Sequence, residues 1–267
     1  MTPETKTYWQ ARLKTLGEFL LPFLILGTLW ELLARFGIVR AELLPPPTQL
    51  LQKLWELTRN GILLHHLAQS GYRLLLGYLL AIVCGVTMGT LLASHETIYK
   101  IFAPILSLLI SVPTIAWVPV LLLVMGLGDR TIITAVFLGG FFAITHNTMR
   151  GIQMVDRNLI HAAQGMGIHG LKLFTTVLLP GSLVSLITGL RLGIGYSWRA
   201  LIGGEMLSAM IAWGIGKMIY QARFWNDVTI MFVGLLIIGL TGLLMDRTLL
   251  NSLERQTVER WGMVTER

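Results

Sequence analysis

Charge is scarce in this chain. Of its 267 residues only 13% are Asp, Glu, Lys or Arg, against roughly 25% in soluble domains. That shortage excludes an ordinary soluble globular domain. Cysteine is limited to Cys84, inside an apolar run. An internal disulfide is impossible, no metal-ligand spacing accompanies it, and it reads as a small apolar packing residue. No G-x4-G-K-[ST] loop occurs, so the chain carries no ATPase of that type. There is no H-E-x-x-H, no G-x-S-x-G and no cluster of carboxylates, which argues against an intramembrane enzyme. Basic runs with interleaved aromatics are missing, which argues against nucleic-acid binding. Repeated short runs of period two are missing as well, which argues against a β-barrel.

What remains is apolar and basic. Hydrophobic residues make up 54% of the chain, the formal net charge is +7 and the mean hydropathy is +0.68. A bilayer core needs about 20 apolar residues of helix, and six segments qualify, at roughly 17–36, 71–94, 99–126, 131–149, 183–209 and 227–249. Residues 1–16 carry Lys6, Arg12 and Lys14. Glu18 and Glu31 interrupt the apolar segment that follows, and no A-x-A cleavage site ends it. It reads as a retained first span behind a cytoplasmic leader rather than a signal peptide. Lys100, Arg150, Arg157, Lys172, Arg247, Arg255, Arg260 and Arg267 then fall on the leader's side. The opposite side holds Arg40, Lys53, Arg59, Arg130, Lys217 and Arg223. This bias favours both termini inside, and the excess of positive charge suits anionic lipid headgroups.

Between the first two spans, residues 47–66 form an amphipathic segment. Pro45 to Pro47 give a rigid lead and Thr48 can cap a helix. Leu50, Leu51, Leu54 and Leu57 fall at helical spacing opposite Gln52, Lys53, Glu56 and Arg59, as in a helix lying at a membrane surface. His65 and His66 lack further ligands and read as interfacial or packing residues. The third span contains Pro104, Pro113 and Pro119. Each removes a backbone donor, so the span is either kinked or broken along a water-filled path. In the fifth span Gly189 and Gly193 have the small-xxx-small spacing of close helix contacts. Arg191, Trp198 and Glu205 recur every seven residues and share one stripe. Charge at membrane depth marks candidate function. Pro113, Trp117, Arg191, Trp198 and Glu205 are therefore the candidate pathway residues, whereas Arg199, about 80° off the stripe, reads as a helix contact.

The polar insert "LIHAAQGMGIHGLKLFTTVLLPG", residues 159–181, lies within a loop at 150–182. Asp156 or Asn158 can cap a short helix through His161, Ala162 and Ala163. Gly165, Gly167 and Gly170 permit tight turns, and a second short run leads into Pro180. His161-Ala162-Ala163, three residues, Gly167, nine residues and Val177-Leu178-Leu179-Pro180 resemble the EAA signature of the inner-membrane permeases of ATP-binding-cassette (ABC) importers. His161 departs from it, standing where that family has Glu. "HLAQSGYRLLLGYLLA" (66–81), "SVPTIAWVPVLLLVMGLGD" and "GLRLGIGYSWRALIGGEML" are similar to the nitrate/sulfonate/taurine (SsuC/TauC-like) branch.

The resemblance implies an all-α membrane protein of about six transmembrane helices in the type I, MetI-like permease fold, with 17–267 as one permease domain. It implies a transport subunit of the inner membrane that is not an enzyme and has no cofactor of its own, ATP and magnesium being bound by the partner ATPase. Expected partners are two cytoplasmic ATPase subunits, a second permease copy, an extracytoplasmic substrate-binding protein and membrane lipid. His161, Ala162, Ala163, Gly165, Met166, Gly167 and Pro180 would couple to the ATPase. The expected cargo is a small, anionic nutrient of the nitrate, sulfonate, taurine or bicarbonate type. An ion-gradient-driven secondary transporter is the alternative reading. It would show internal repeats and paired broken helices, and the chain has one strongly broken segment.

Overall fold

The computed structural model describes residues 21–38, 40, 42–208 and 210–246, which contain helices and turns and no strands. The leader 1–16, the first residues of the expected first span and the cations from Arg247 onward lie outside the described residues. The chain divides into two compact units, Met1–Leu63 with Gln221–Val233 and Leu64–Tyr220 with Gly234–Arg267.

In the first unit α1 covers 21–35 and α2 covers Pro47–Arg59. Thr48 does not cap α2. Pro46 is the cap residue and makes no side-chain cap bond. Glu31 of α1 does that work instead, accepting from the Thr48 N–H at 3.1 Å, from its hydroxyl at 2.9 Å and from Arg35 Nε at 2.6 Å. A carboxylate supplied from a neighbouring helix thus satisfies one of the donors that a helix start leaves free. Leu50 and Leu57 form the buried side of α2, while Leu51 and Trp55 are exposed.

The second unit is built on three long helices: α3 (Ile62–Ser94), α6 (Asp129–Gln153) and α10 (Leu183–Leu207). Small residues set their spacing. A Cβ on Gly77 would meet Val136 at 2.6 Å, one on Gly85 would meet Ile144 at 2.9 Å, and one on Gly89 would meet Thr148 at 2.7 Å. Both numbers rise together, so α3 and α6 run parallel. On the other side of α6, Gly193 faces Ile144 at 2.9 Å, Gly189 faces Asn147 at 2.7 Å and Gly151 faces Ser185 at 2.7 Å. Here the numbers run oppositely, so α6 and α10 are antiparallel. The Ser197 hydroxyl closes this seam by donating to the Val136 carbonyl at 2.8 Å. Lipid offers no hydrophobic drive between helices, so close approach of backbones is how such helices associate.

The third expected span is broken rather than kinked. Helix α4 (Glu96–Ser111) and helix α5 (Trp117–Met125) meet through a 3-10 turn at Thr114–Ala116, bent by 89°. Only Pro113 breaks the chain. Pro104 is accommodated inside α4, and Pro119 sits in the first turn of α5, where its missing N–H would be unpaired anyway. The insert forms α7 (Arg157–Gly165), α8 (Gly170–Leu173), a π turn (Phe174–Leu178) and α9 (Leu179–Gly181), with Pro180 in the first turn of α9. A bend of 76° then joins it to α10. Two further helices follow, α11 (Ile215–Phe224) and α12 (Val228–Met245). Three described helices, α3, α6 and α12, are long and apolar enough to cross a bilayer, or up to five with each bent pair taken as one span. Helix α3 starts nine residues before the expected span at 71, because His66, Ser70 and Arg73 are held by protein. Cys84 is exposed on α3 rather than packed.

Candidate functional site

Three sites emerge in the second unit, and the sequence pointed to two of them. His66, Ser70 and Arg73 stand four and seven residues apart on α3 and so share one face. They grip the segment between α10 and α11. Arg73 Nη1 lies 2.7 Å from Glu205 Oε1 and 2.7 Å from the Trp213 carbonyl, and its Nε lies 2.9 Å from Asp129 Oδ1. Ser70 Oγ donates to the Glu205 carboxylate at 2.8 Å and accepts from the Ile215 N–H at 2.9 Å. The Gly216 N–H donates to Glu205 Oε2 at 3.0 Å. His66 Nδ1 lies 3.0 Å from the Gly214 N–H and 2.7 Å from its carbonyl.

Arg73 and Glu205 are 3% and 0% exposed. Such a pair persists in a dry interior only when further hydrogen bonds satisfy both charges. Here Ser70, Gly216, the Trp213 carbonyl and Asp129 do so. Gly214 is required twice over. Its φ is +154°, and a Cβ would sit 2.5 Å from the Glu205 carboxyl carbon. The corner therefore locks one end of α10. Glu205, expected on the pathway, faces this lock and not an open space. Trp198 on the same stripe is also buried, and Gly242 of α12 packs beside its indole. Arg191 is half-buried, with Nε 3.8 Å from Asp246. Within the single chain Trp198 and Glu205 thus face helix contacts, and Arg191 faces Asp246.

The second site is a cavity of about 300 Å³ between the α4–α5 break and the facing sides of α6 and α10. Pro113, Ser111, Phe142, Tyr196 and Arg199 are among its lining. Pro113 is the one expected pathway residue in that lining; Trp117, Arg191, Trp198 and Glu205 are outside it. Arg199, expected as a helix contact, is exposed and points here.

The third site is the insert. The Asp156 carboxylate accepts from the Asn158 N–H at 2.8 Å and caps α7. At the far end the Ile168 N–H reaches the Ala163 carbonyl at 3.0 Å and the Gly167 N–H reaches Gln164 at 2.9 Å. Gly167 supplies the left-handed φ of +79° that this closure needs. Only Ala163 of α7 is buried, while His161, Ala162, Gly165, Met166 and Gly167 are exposed. Met166 and Leu171 are 73% and 79% exposed. Pro180 is half-buried in α9, at the lead into α10.

No group of three or more His, Cys, Asp or Glu that could hold a metal ion occurs among the described residues. The geometry is that of a polytopic helical membrane protein, with a broken span beside a cavity and a small self-capped helix that buries Ala163 and exposes most of its remaining surface. The family profile "binding-protein-dependent transport system inner membrane component" matches residues 81–255, and the chain belongs to this family. Its relatives include the taurine transport system permease protein TauC of Escherichia coli strain K12, 29% identical over 90% of this chain and 88% of that protein. The bicarbonate transport system permease protein CmpB of Synechocystis is 30% identical, over 90% of this chain and 88% of that protein. The structure of the MetNI methionine ABC transporter in an inward-facing conformation shares the fold, with a TM-score of 0.61 and 18% identity over 76% of this chain and 98% of that one.

The chain is therefore the membrane-spanning permease subunit of an ABC importer and not an enzyme. It is a multi-pass protein of the inner membrane and works with an ATPase and a substrate-binding protein. Of this lock the sequence singles out Glu205, as a pathway candidate, and His66, as an interfacial or packing residue; Ser70 and Arg73, at helical spacing from His66, carry the remaining signal.

Proposed function

We propose that two copies of this chain form a pathway for a small oxyanion and that each presents α7 to a cytoplasmic ATPase subunit. The observation that carries the docking reading is the exposed, independently closed α7. A helix capped at both ends by its own residues keeps its shape when a partner covers it. Its Ala162, Gly165 and Gly167 leave room for a groove wall, and the protruding Met166 supplies an adaptable apolar contact. In this reading both termini are cytoplasmic, as the positive charge of the flanking segments supports. The chain itself holds no cofactor, and ATP with its magnesium belongs to the ATPase.

The cargo class draws support from relatives named for taurine and for bicarbonate, since a sulfonate and a bicarbonate share a small, hydrogen-bonding oxyanion head. Ala162→Arg tests the docking reading. Ala162 is exposed within a regular helix, so the added side chain blocks a groove without straining the fold. Gly167→Arg is a poorer probe, because φ of +79° strains any side chain there. Ala162→Arg is expected to abolish uptake while the permease still assembles in the membrane. Normal uptake, with ATP hydrolysis still stimulated by the liganded binding protein, would place the docking element elsewhere.

A further inference from the structure

Arg199 is the one charged side chain among the described residues lining the cavity at the α4–α5 break. It lies on α10 about 12 Å before that helix ends at Leu207. No described carboxylate lies within 4 Å of its guanidinium. Its near neighbour is the Tyr196 ring, whose centroid is 5.8 Å from the guanidinium carbon. A cation at this depth, exposed in the single chain, is costly against lipid, so such a side chain faces a water-filled cavity or a charged ligand. The opposite wall supplies backbone that water can satisfy. Pro113 interrupts the helical ladder between Ser111 and Thr114, and non-helical backbone at membrane depth is tolerated only against protein or a water-filled cavity.

We propose that Arg199 is the anion-recognition residue of an aqueous pocket inside the membrane, between α10 and the break of the α4–α5 span. This rests on the proposed pathway reading. The ligand class is a small oxyanion, sulfonate or bicarbonate in kind. A guanidinium offers such a head two parallel donors in a fixed fork, which a lysine ammonium does not. The Tyr196 ring beside it favours the charged group and restricts its orientation. The absence of acidic lining leaves the positive charge uncompensated, so the pocket concentrates anions and repels cations.

The test uses the chain's sparing use of cysteine. In the assembled importer in membrane vesicles, exposed Cys84 is replaced by serine and Ser111, which lines the cavity, by cysteine. Two thiol reagents of similar size are compared, sulfonatoethyl methanethiosulfonate and trimethylammonioethyl methanethiosulfonate. The anionic reagent is expected to react faster. Arg199→Gln should lower the anionic-to-cationic rate ratio about tenfold, whereas Arg199→Lys, which keeps the charge, should largely preserve it. An unchanged ratio in Arg199→Gln would overturn the anion assignment while leaving a water-filled pathway in place. Failure of Ser111→Cys to react with either reagent would show the cavity to be closed to water and would remove the pathway reading along with the proposal.

Discussion

Two glycine-bearing turns in this permease have opposite fates. At Gly214–Gly216 the backbone is clasped by Glu205, Ser70, Arg73 and His66 and is fully inside the protein. At Gly165–Gly170 the backbone curls on itself, and a Cβ on Gly165, Gly167 or Gly170 would meet nothing within 4 Å. Both turns use a positive φ. The first uses it to bring backbone onto a buried carboxylate; the second uses it to end a helix in open space. The role of a glycine turn is set by its neighbours. A turn surrounded by satisfied charge fixes geometry, whereas a bare turn on a capped helix offers a surface.

The largest effects on stability are expected at the lock. Arg73→Ala leaves the Glu205 carboxylate buried without its cation. Such a loss costs roughly 3–5 kcal/mol, to be read as a lowered melting temperature of the detergent-solubilised importer. Gly214→Ala adds a methyl where the Glu205 carboxyl carbon stands 2.5 Å away. Backbone and steric strain together are expected to cost about 1–3 kcal/mol in the same measurement. At the bare turn the effects on stability are smaller. Asp156→Ala removes the α7 cap, about 1 kcal/mol, and is expected to fray α7 and lower ATP-driven uptake without changing the global melting temperature. Ala162→Arg should change stability by less than about 0.5 kcal/mol, yet abolish uptake. A large drop in melting temperature for Ala162→Arg, or none for Arg73→Ala, would reverse the roles assigned to the two turns.

Much of the architecture is written in periodicity, because lipid forces apolar runs of helical length. The seam glycines Gly189 and Gly193 were legible from their four-residue spacing, and the capped helix of the insert from Asp156 and the glycines that follow. Other features depend on which neighbour wins. Three prolines in the third segment look alike in sequence, but only Pro113 breaks the chain, since α4 absorbs Pro104 and a first turn excuses Pro119. Thr48 has the right chemistry for a cap, and Glu31 takes its place from seventeen residues earlier. The stripe of Arg191, Trp198 and Glu205 was visible, but the partners of Glu205 were not. Whether a buried charge faces a partner or a path depends on residues far along the chain, here Ser70, Arg73 and Gly216. The same holds for Arg199, which lines a cavity whose other wall is the break at Pro113.

The most direct measurement is amide hydrogen exchange of the membrane-embedded permease with and without its ATPase subunits. Exchange at 214–216 should be slow in both samples, because the lock belongs to the chain itself. Exchange at 161–170 should be fast in the permease alone and slow in the assembled importer. Equal exchange at 161–170 in the two samples, or protection gained at 214–216 instead, would contradict the assignment of one turn to holding the fold and the other to holding the partner.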